Sequence, residues 1–341
     1  MSESVDKTSR RRTPVPQIAV LSTVSLIRRV DDDCSLEEMI FMGSREALAS
    51  ANLSFEALDG VVMSGNDQVN GRVISCMVAS GPAAGFGKDV TMVASSADHA
   101  LIYGYMRLLS DQGRNVLVIG WSKSTESVDP THAQTVSSEP FFLRQVGMND
   151  TIASGLQASR LGKSPRSDSK EFRAWPLTSE DLPQEGDVVF ATLLAVEDSF
   201  VEGRELGWIA GVGWATGTPD LGGRDIGDFS MVVDVAKQVF DRGGPPTSEW
   251  STVEIAAPSE DAVQAVASAL SLGRYARINP SGPLSRRPTS AHVAGLGRMM
   301  SAVDGLPGRT EATQYAIGIG TQGFAAQGFA LVAFCNRKAE S

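Results

Sequence analysis

Short β-branched apolar runs alternate with helix-like stretches from residue 17 to residue 334, and this alternation limits the chain to α/β architectures with buried sheets. Residues 17–27, 58–63, 90–93 and 116–120 read as strands, with helices over 35–51 and 97–110. Ser35-Leu-Glu-Glu38 has capping-box spacing and predicts where the first helix opens. After a polar stretch the pattern resumes. Strands are expected over 187–194, 206–214 and 252–256, and helices over 228–240, 260–272 and 290–303. Residues 314–320 and 328–334 close the chain as a hairpin. The order is β-α-β-β-α-β, an insertion, then β-β-α-β-α-α-β-β. Such an order implies two similar halves that each supply a sheet with helices between, although no sequence repeat marks a duplication.

The expected organisation follows. Residues 1–16 are a polar arm with Arg10, Arg11 and Arg12, read as disordered up to Pro14 and Pro16. Residues 17–122 and 184–205 form an N-terminal half. Residues 123–183, polar and rich in Ser, form an insertion or lid with one helix at 149–161. Residues 206–341 form a C-terminal half.

The chain carries 30 Lys+Arg against 40 Asp+Glu, a net charge of −10. That balance argues against nucleic acid or an anionic membrane as the main partner. Apolar runs are strand-length, well short of the ~20 residues of a membrane helix, and no apolar signal stretch follows the basic arm. Cys34, Cys76 and Cys335 are scattered with no CxxC, which excludes a disulfide framework and a Cys-rich zinc site. These features fit a cytoplasmic protein. No P-loop occurs, and no Gly-x-Gly-x-x-Gly follows a strand, so no nucleotide cofactor is indicated.

Ser95 and Ser96 sit at a strand-to-helix elbow, as a Ser nucleophile would, and equally as N-cap residues would. His99 lies on the same helix face as Ser96, and Asp98 is favoured there by the helix dipole. His132 and Asp129, in the insertion, lack a second ligand at metal-binding spacing. Gly318-Ile-Gly-Thr-Gln-Gly323, with Gly320, Gln322 and Gly323, has backbone N–H groups suited to an oxyanion, or is simply a tight hairpin. Tyr315 precedes it, and Arg287 and His292 precede the last helix.

Four segments in order resemble the thiolase superfamily: Ala51-Asn-Leu-Ser-Phe-Glu-Ala-Leu-Asp-Gly-Val-Val-Met63; Val93-Ala-Ser-Ser-Ala-Asp-His-Ala-Leu101 with Asn115-Val-Leu-Val-Ile-Gly-Trp121; Ile278-Asn-Pro-Ser-Gly-Pro-Leu284 with Arg286-Arg-Pro288 and Ala291-His-Val-Ala-Gly295; and Ile317-Gly-Ile-Gly-Thr-Gln-Gly323. His99 looks like the lipid-transfer-protein (sterol-carrier-protein) branch. The resemblance implies a five-layered αβαβα fold and a dimer.

The departures fall on the chemistry. Ala94 stands at the family's nucleophilic Cys, Arg287 at its Gly-His-Pro His, Ile317 at its second Cys, and Ala256-Ala-Pro-Ser259 at its Asn-Glu-Ala-Phe segment. Ala cannot carry an acyl group, and Arg cannot act as a base near neutral pH. The resemblance therefore implies a protein of lipid metabolism without the nucleophile, a non-catalytic or accessory subunit that keeps a cavity for a coenzyme A thioester. An acyltransferase or retro-aldol lyase using Ser95, His99 or Tyr315 is a second reading, and an acyl-CoA or lipid-binding protein a third. Arg287, His292, Gly320, Gln322 and Gly323 are the expected ligand contacts. Expected partners are a second copy, a thiolase paralogue, or a zinc-ribbon/OB-fold protein.

Overall fold

The computed structural model describes residues 15–28, 33–69, 74–165, 171–184, 186–273, 275–308 and 312–338. The arm expected over 1–16 lies, except for its last two residues, outside them.

The first half runs β1 (Ile18–Arg28), α1 (Leu36–Ala51), β2 (Gly60–Ser64), α2 (Ser75–Ser80), β3 (Asp89–Met92), α3 (Ala97–Leu109), β4 (Asn115–Ser122) and β5 (Asp187–Val196). Between β4 and β5 lie α4 (Pro130–Ser137) and α5 (Asp150–Arg160). The second half runs β6 (Gly207–Thr216), α6 (Met231–Asp241), β7 (Trp250–Ala256), α7 (Glu260–Ala269), β8 (Arg277–Ile278), α8 (Ala291–Asp304), β9 (Tyr315–Gln322) and β10 (Gly328–Cys335).

The connectivity of the first half is repeated in the second. β1 is antiparallel to β5, and β5 to β4, while β4 is parallel to β2, and β2 to β3. In the same roles stand β6, β10, β9, β7 and β8. The strands join into one ten-stranded sheet, ordered β3-β2-β4-β5-β1-β6-β10-β9-β7-β8. The joint is narrow: among the described residues, β1 pairs with β6 only at Ala19↔Trp208 and Val20↔Gly207.

Alternation along the strands builds the layers. Val116 and Val118 of β4 and Ala330, Val332 and Phe334 of β10 face inward, onto Leu101 of α3 and Leu296, Met299 and Met300 of α8. Leu117 and Ile119 of β4 face Met39, Ile40 and Ala47 of α1. Leu331 of β10 and Ile255 of β7 face Val235 of α6 and Val266 of α7. The result is helix, sheet, paired central helices, sheet, helix, as the sequence led us to expect.

The capping box at Ser35 and Glu38 is formed on both sides, and α1 stops at Asn52 in the left-handed region with φ 53°. Three elements escape the sequence reading. β8 is two residues that pair only with β7, too short for periodicity. α2 and α4 bury few residues and show no apolar stripe.

Candidate functional site

The register of the sheet sets up the centre. Gly120 of β4 pairs with Ser64, the last residue of β2, and Gly320 of β9 pairs with Ala256, the last residue of β7. The two glycines are therefore equivalent, and both receive the first turn of α3. A Cβ on Gly120 would lie 2.5 Å from that of Ala97, and a Cβ on Gly320 would overlap the Asp98 carboxylate. Gly295 of α8 closes on the same carboxylate and has no room for a Cβ either.

Asp98 is thus wholly buried where α3, α8 and β9 meet. Its Oδ1 accepts from Ser96 Oγ (2.5 Å), His99 N (2.8 Å) and Gln322 Nε2 (3.1 Å), while Oδ2 has no partner. Burial pushes the Asp98 carboxyl above its ordinary range, against the pull of His99 and these hydrogen bonds. The helix dipole alone would have predicted the opposite direction; desolvation wins here.

Two histidines stand at the helix starts. Ser95 Oγ meets His99 Nδ1 at 2.6 Å, and His99 Nε2 is buried without a partner. Ser64 Oγ donates its one proton to Ser95 O at 2.5 Å, so at 3.0 Å His292 Nε2 must be the donor to Ser64 Oγ. That tautomer leaves Nδ1 as the basic nitrogen of His292. Burial lowers the His292 pKa to about 4, so the ring is neutral at neutral pH. Neither ring nitrogen of His99 or His292 bonds a carboxylate in the described residues, so no Ser-His-Asp relay is assembled. Ser96 holds the N-cap place of α3 but caps no backbone N–H, because its hydroxyl goes to Asp98.

A cavity of about 960 Å³ opens beside this centre. Its walls come from the end of β4 (Ser122), the insertion (Thr125, Asp150, Arg173), the end of β7 and the residues after it (Ala256, Pro258), the start of α8 (Ser290, Ala294), and the end of β9 with the β9–β10 turn (Thr321, Gly323, Ala326). A volume of this size suits a small-molecule ligand of cofactor dimensions. A second hollow of about 560 Å³ adjoins it and shares Ser179, Gln184 and Leu284. The insertion is clamped at its base by Lys123 Nζ and Asp187 Oδ2, 2.7 Å apart and both buried, with Thr125 Oγ1 on the same carboxylate at 2.5 Å.

The structure separates the residues that the sequence grouped. Gly323 lines the cavity; Gly320 and Gln322 lie behind it, on Asp98. Ala94, Ser95, Ser96, His99 and His292 are together at the helix starts but are not cavity walls. Arg287 is exposed and donates to Ser281 O at 2.7 Å, so its guanidinium is tied to its own loop rather than to the cavity. Tyr315 begins β9, seven residues before Gln322 and therefore about 23 Å from it. Ile317 points the other way from α3: its buried side chain joins the outer layer with α6 and α7, and Gly320 is the residue of that strand facing Asp98. Asp129 caps α4 by accepting from His132 N.

Sequence reasoning missed three features. Asp150 lines the cavity, and burial pushes its carboxyl up to about 6. Glu254 and Arg298 form a buried pair at 2.6 Å that also holds Ser281 and Gly282. Its signal was present: a carboxylate inside the apolar run of β7 and a guanidinium inside apolar α8 must find each other. Arg224 holds the β9–β10 turn through Phe324 O and Ala325 O; nothing in its local sequence marks it.

No protein-family model matches the chain, and no curated protein matches it. Among solved structures it is similar to human mitochondrial 3-ketoacyl-CoA thiolase, with a TM-score of 0.72 at 13% identity, over 95% of this chain and 100% of that one. The crystal structure of the same human enzyme in complex with CoA matches equally, with a TM-score of 0.72 at 13% identity, over 95% of this chain and 99% of the other. The likeness is one of fold: the chain has a thiolase-like α/β fold.

Proposed function

We propose that this chain of thiolase-like fold binds a coenzyme A thioester in the cavity beneath its insertion and acts there as a non-catalytic or accessory subunit of acyl-CoA metabolism. The observation that carries this reading is a cavity of ligand size whose walls hold hydroxyls and apolar side chains but no thiol. Acyl transfer of the thiolase kind needs a thiolate to accept the acyl group. Cys335 lies at the far end of β10 from the β9–β10 turn, beside Trp208, and burial raises its thiol to about 11. Cys76 is on α2 and Cys34 precedes α1, neither of them a cavity wall. Leu182, Ile152 and Leu284 offer apolar surface for an acyl chain.

Calorimetry with acetoacetyl-CoA and with a fatty acyl-CoA tests the reading, paired with an assay for thiolysis in the presence of CoA. Binding without turnover is the expected result; absence of binding for both thioesters refutes it. The Ser95–His99 hydrogen bond favours one rival, an acyltransferase or lyase with a serine nucleophile. Turnover that Ser95→Ala abolishes would establish that rival instead.

A partner is part of the proposal. Among the described residues, β3 is an edge strand with no neighbour on its outer side, and Met77 and Phe86 nearby in sequence are exposed apolar residues. A second copy or a thiolase paralogue pairing along β3 would cover them, and a zinc-ribbon/OB-fold protein is the other candidate. Among the described residues, no helix is long and apolar enough to cross a membrane. Light scattering of the purified chain, alone and co-expressed with candidates, separates these arrangements.

A further inference from the structure

The β9–β10 turn holds two backbone donors that the fold leaves unused. Arg224 Nη2 donates to Phe324 O at 2.6 Å and Nη1 to Ala325 O at 2.9 Å, so one guanidinium gathers two successive carbonyls. In a trans peptide the N–H points opposite to the C=O. The Phe324–Ala325 and Ala325–Ala326 peptides are trans. The N–H groups of Ala325 and Ala326 therefore both point away from Arg224, side by side. Ala325 and Ala326 are themselves walls of the 960 Å³ cavity. No acceptor pairs with either N–H among the described residues.

The backbone there is strained to make this shape. Ala325 has φ 49° and Ala326 φ 53°, left-handed values that a residue with a Cβ rarely adopts. A plain hairpin would use glycine at such positions. Both residues are also nearly buried, where a backbone donor is ordinarily paired. The same wall carries two more polar atoms without a partner, Thr289 Oγ1 and Ser290 Oγ, at the start of α8.

The geometry points to an anion subsite: the Ala325 and Ala326 N–H groups, backed by Arg224, receive an oxyanion of the cavity's ligand, either a phosphate or a carboxylate. Adjacent N–H groups facing one way form a concavity that binds an anionic oxygen. Arg224 contributes from behind. Its charge polarises both peptides toward the cavity, and its two-pronged grip fixes their orientation in advance, which neither a lysine nor a neutral residue reproduces. This inference rests on the cavity being the ligand site, but not on the ligand being a coenzyme A thioester.

The test is an NMR titration of the full chain, following the Ala325 and Ala326 amides with inorganic phosphate and, separately, with acetate. A saturable downfield movement of both amide protons with either anion is expected, and which anion acts identifies the source group. In Arg224→Ala the affinity should fall at least tenfold, and Arg224→Lys, the variant to use if the alanine form does not fold, should lose several-fold. No movement with either anion, or equal movement in a folded Arg224 variant, overturns the proposal. Movement with phosphate in a protein that fails to bind acetoacetyl-CoA keeps this subsite and refutes only the proposed function.

Discussion

Gly120 and Gly320 occupy the same place in the two halves, each opposite the last residue of a parallel neighbour, and the first turn of α3 is seated on both. On Gly120 the neighbour is the Cβ of Ala97; on Gly320 it is the carboxylate of Asp98, held by Ser96, His99 and Gln322. Neither position tolerates a methyl group unless α3 lifts off the sheet.

Gly320→Ala should therefore cost about 3 kcal/mol or more, the penalty of an overpacked core that also displaces a buried hydrogen-bonded carboxylate. Gly120→Ala should cost about 1–3 kcal/mol, because only an apolar contact must give. Urea denaturation of both variants checks the size and the order.

The buried pair of Glu254 and Arg298 predicts a second asymmetry. Arg298→Met leaves Glu254 buried with only Ser281 for company and should destabilise by about 3–5 kcal/mol. Adding Glu254→Leu should recover much of the loss, since the uncompensated charge is then gone. The same guanidinium pins Gly282 O, so the loop carrying the cavity wall Leu284 should become protease-sensitive in Arg298→Met. Denaturation midpoints of the single and double variants, with limited proteolysis, measure both effects.

Asp150 carries a pH dependence of definite sign. Its folded carboxyl is raised to about 6 by burial from an ordinary value of 3.8, so the ionised form is the disfavoured one. Its stabilising contribution is complete below pH 3.8 and is lost as pH rises through about 6. The shift corresponds to about 3 kcal/mol at most, and water in the open cavity reduces that to about 1–2 kcal/mol. Asp150→Asn should accordingly stabilise the protein by that smaller amount at pH 8 and leave it unchanged at pH 3.5, as read from guanidinium unfolding at the two values.

His292 runs the other way. Its pKa falls to about 4 from 6.5, so the stability it confers is full above 6.5 and lost as pH drops toward 4. The wild type should lose about 1–2 kcal/mol across that window beyond what His292→Gln loses, after allowance for the partial exposure of the ring. Unfolding curves between pH 7 and 4, taken as differences between the two proteins, give the number.

The layered fold was legible because burial writes a period of two into β4 and β10 and a capping box into the start of α1. β8 was not, since two residues hold no period. The helix-start cluster was legible in part: Asp98, His99 and Gln322 stand where short polar residues interrupt apolar elements. What one chain cannot announce is which face a strand residue takes once strands are paired. That is why Ile317 could be matched to a catalytic position while its side chain lies among α6 and α7. Asp150 and Arg224 were invisible for a related reason. Each acquires its meaning from a segment some hundred residues or more away, Asp150 from the start of α8 and Arg224 from the β9–β10 turn.

The narrow joint between β1 and β6 has an architectural corollary. Among the described residues, two residue pairs stitch the halves along the sheet, yet α3 also rests on Gly320 of the second half and α8 on Phe190 of the first, over Gly297. Each central helix thus packs on its own half and also reaches the other, so either half, cut apart, would expose an unfinished interior. Severing the backbone between β5 and β6, within residues 197–206, should yield two fragments that are soluble only as a reconstituted pair.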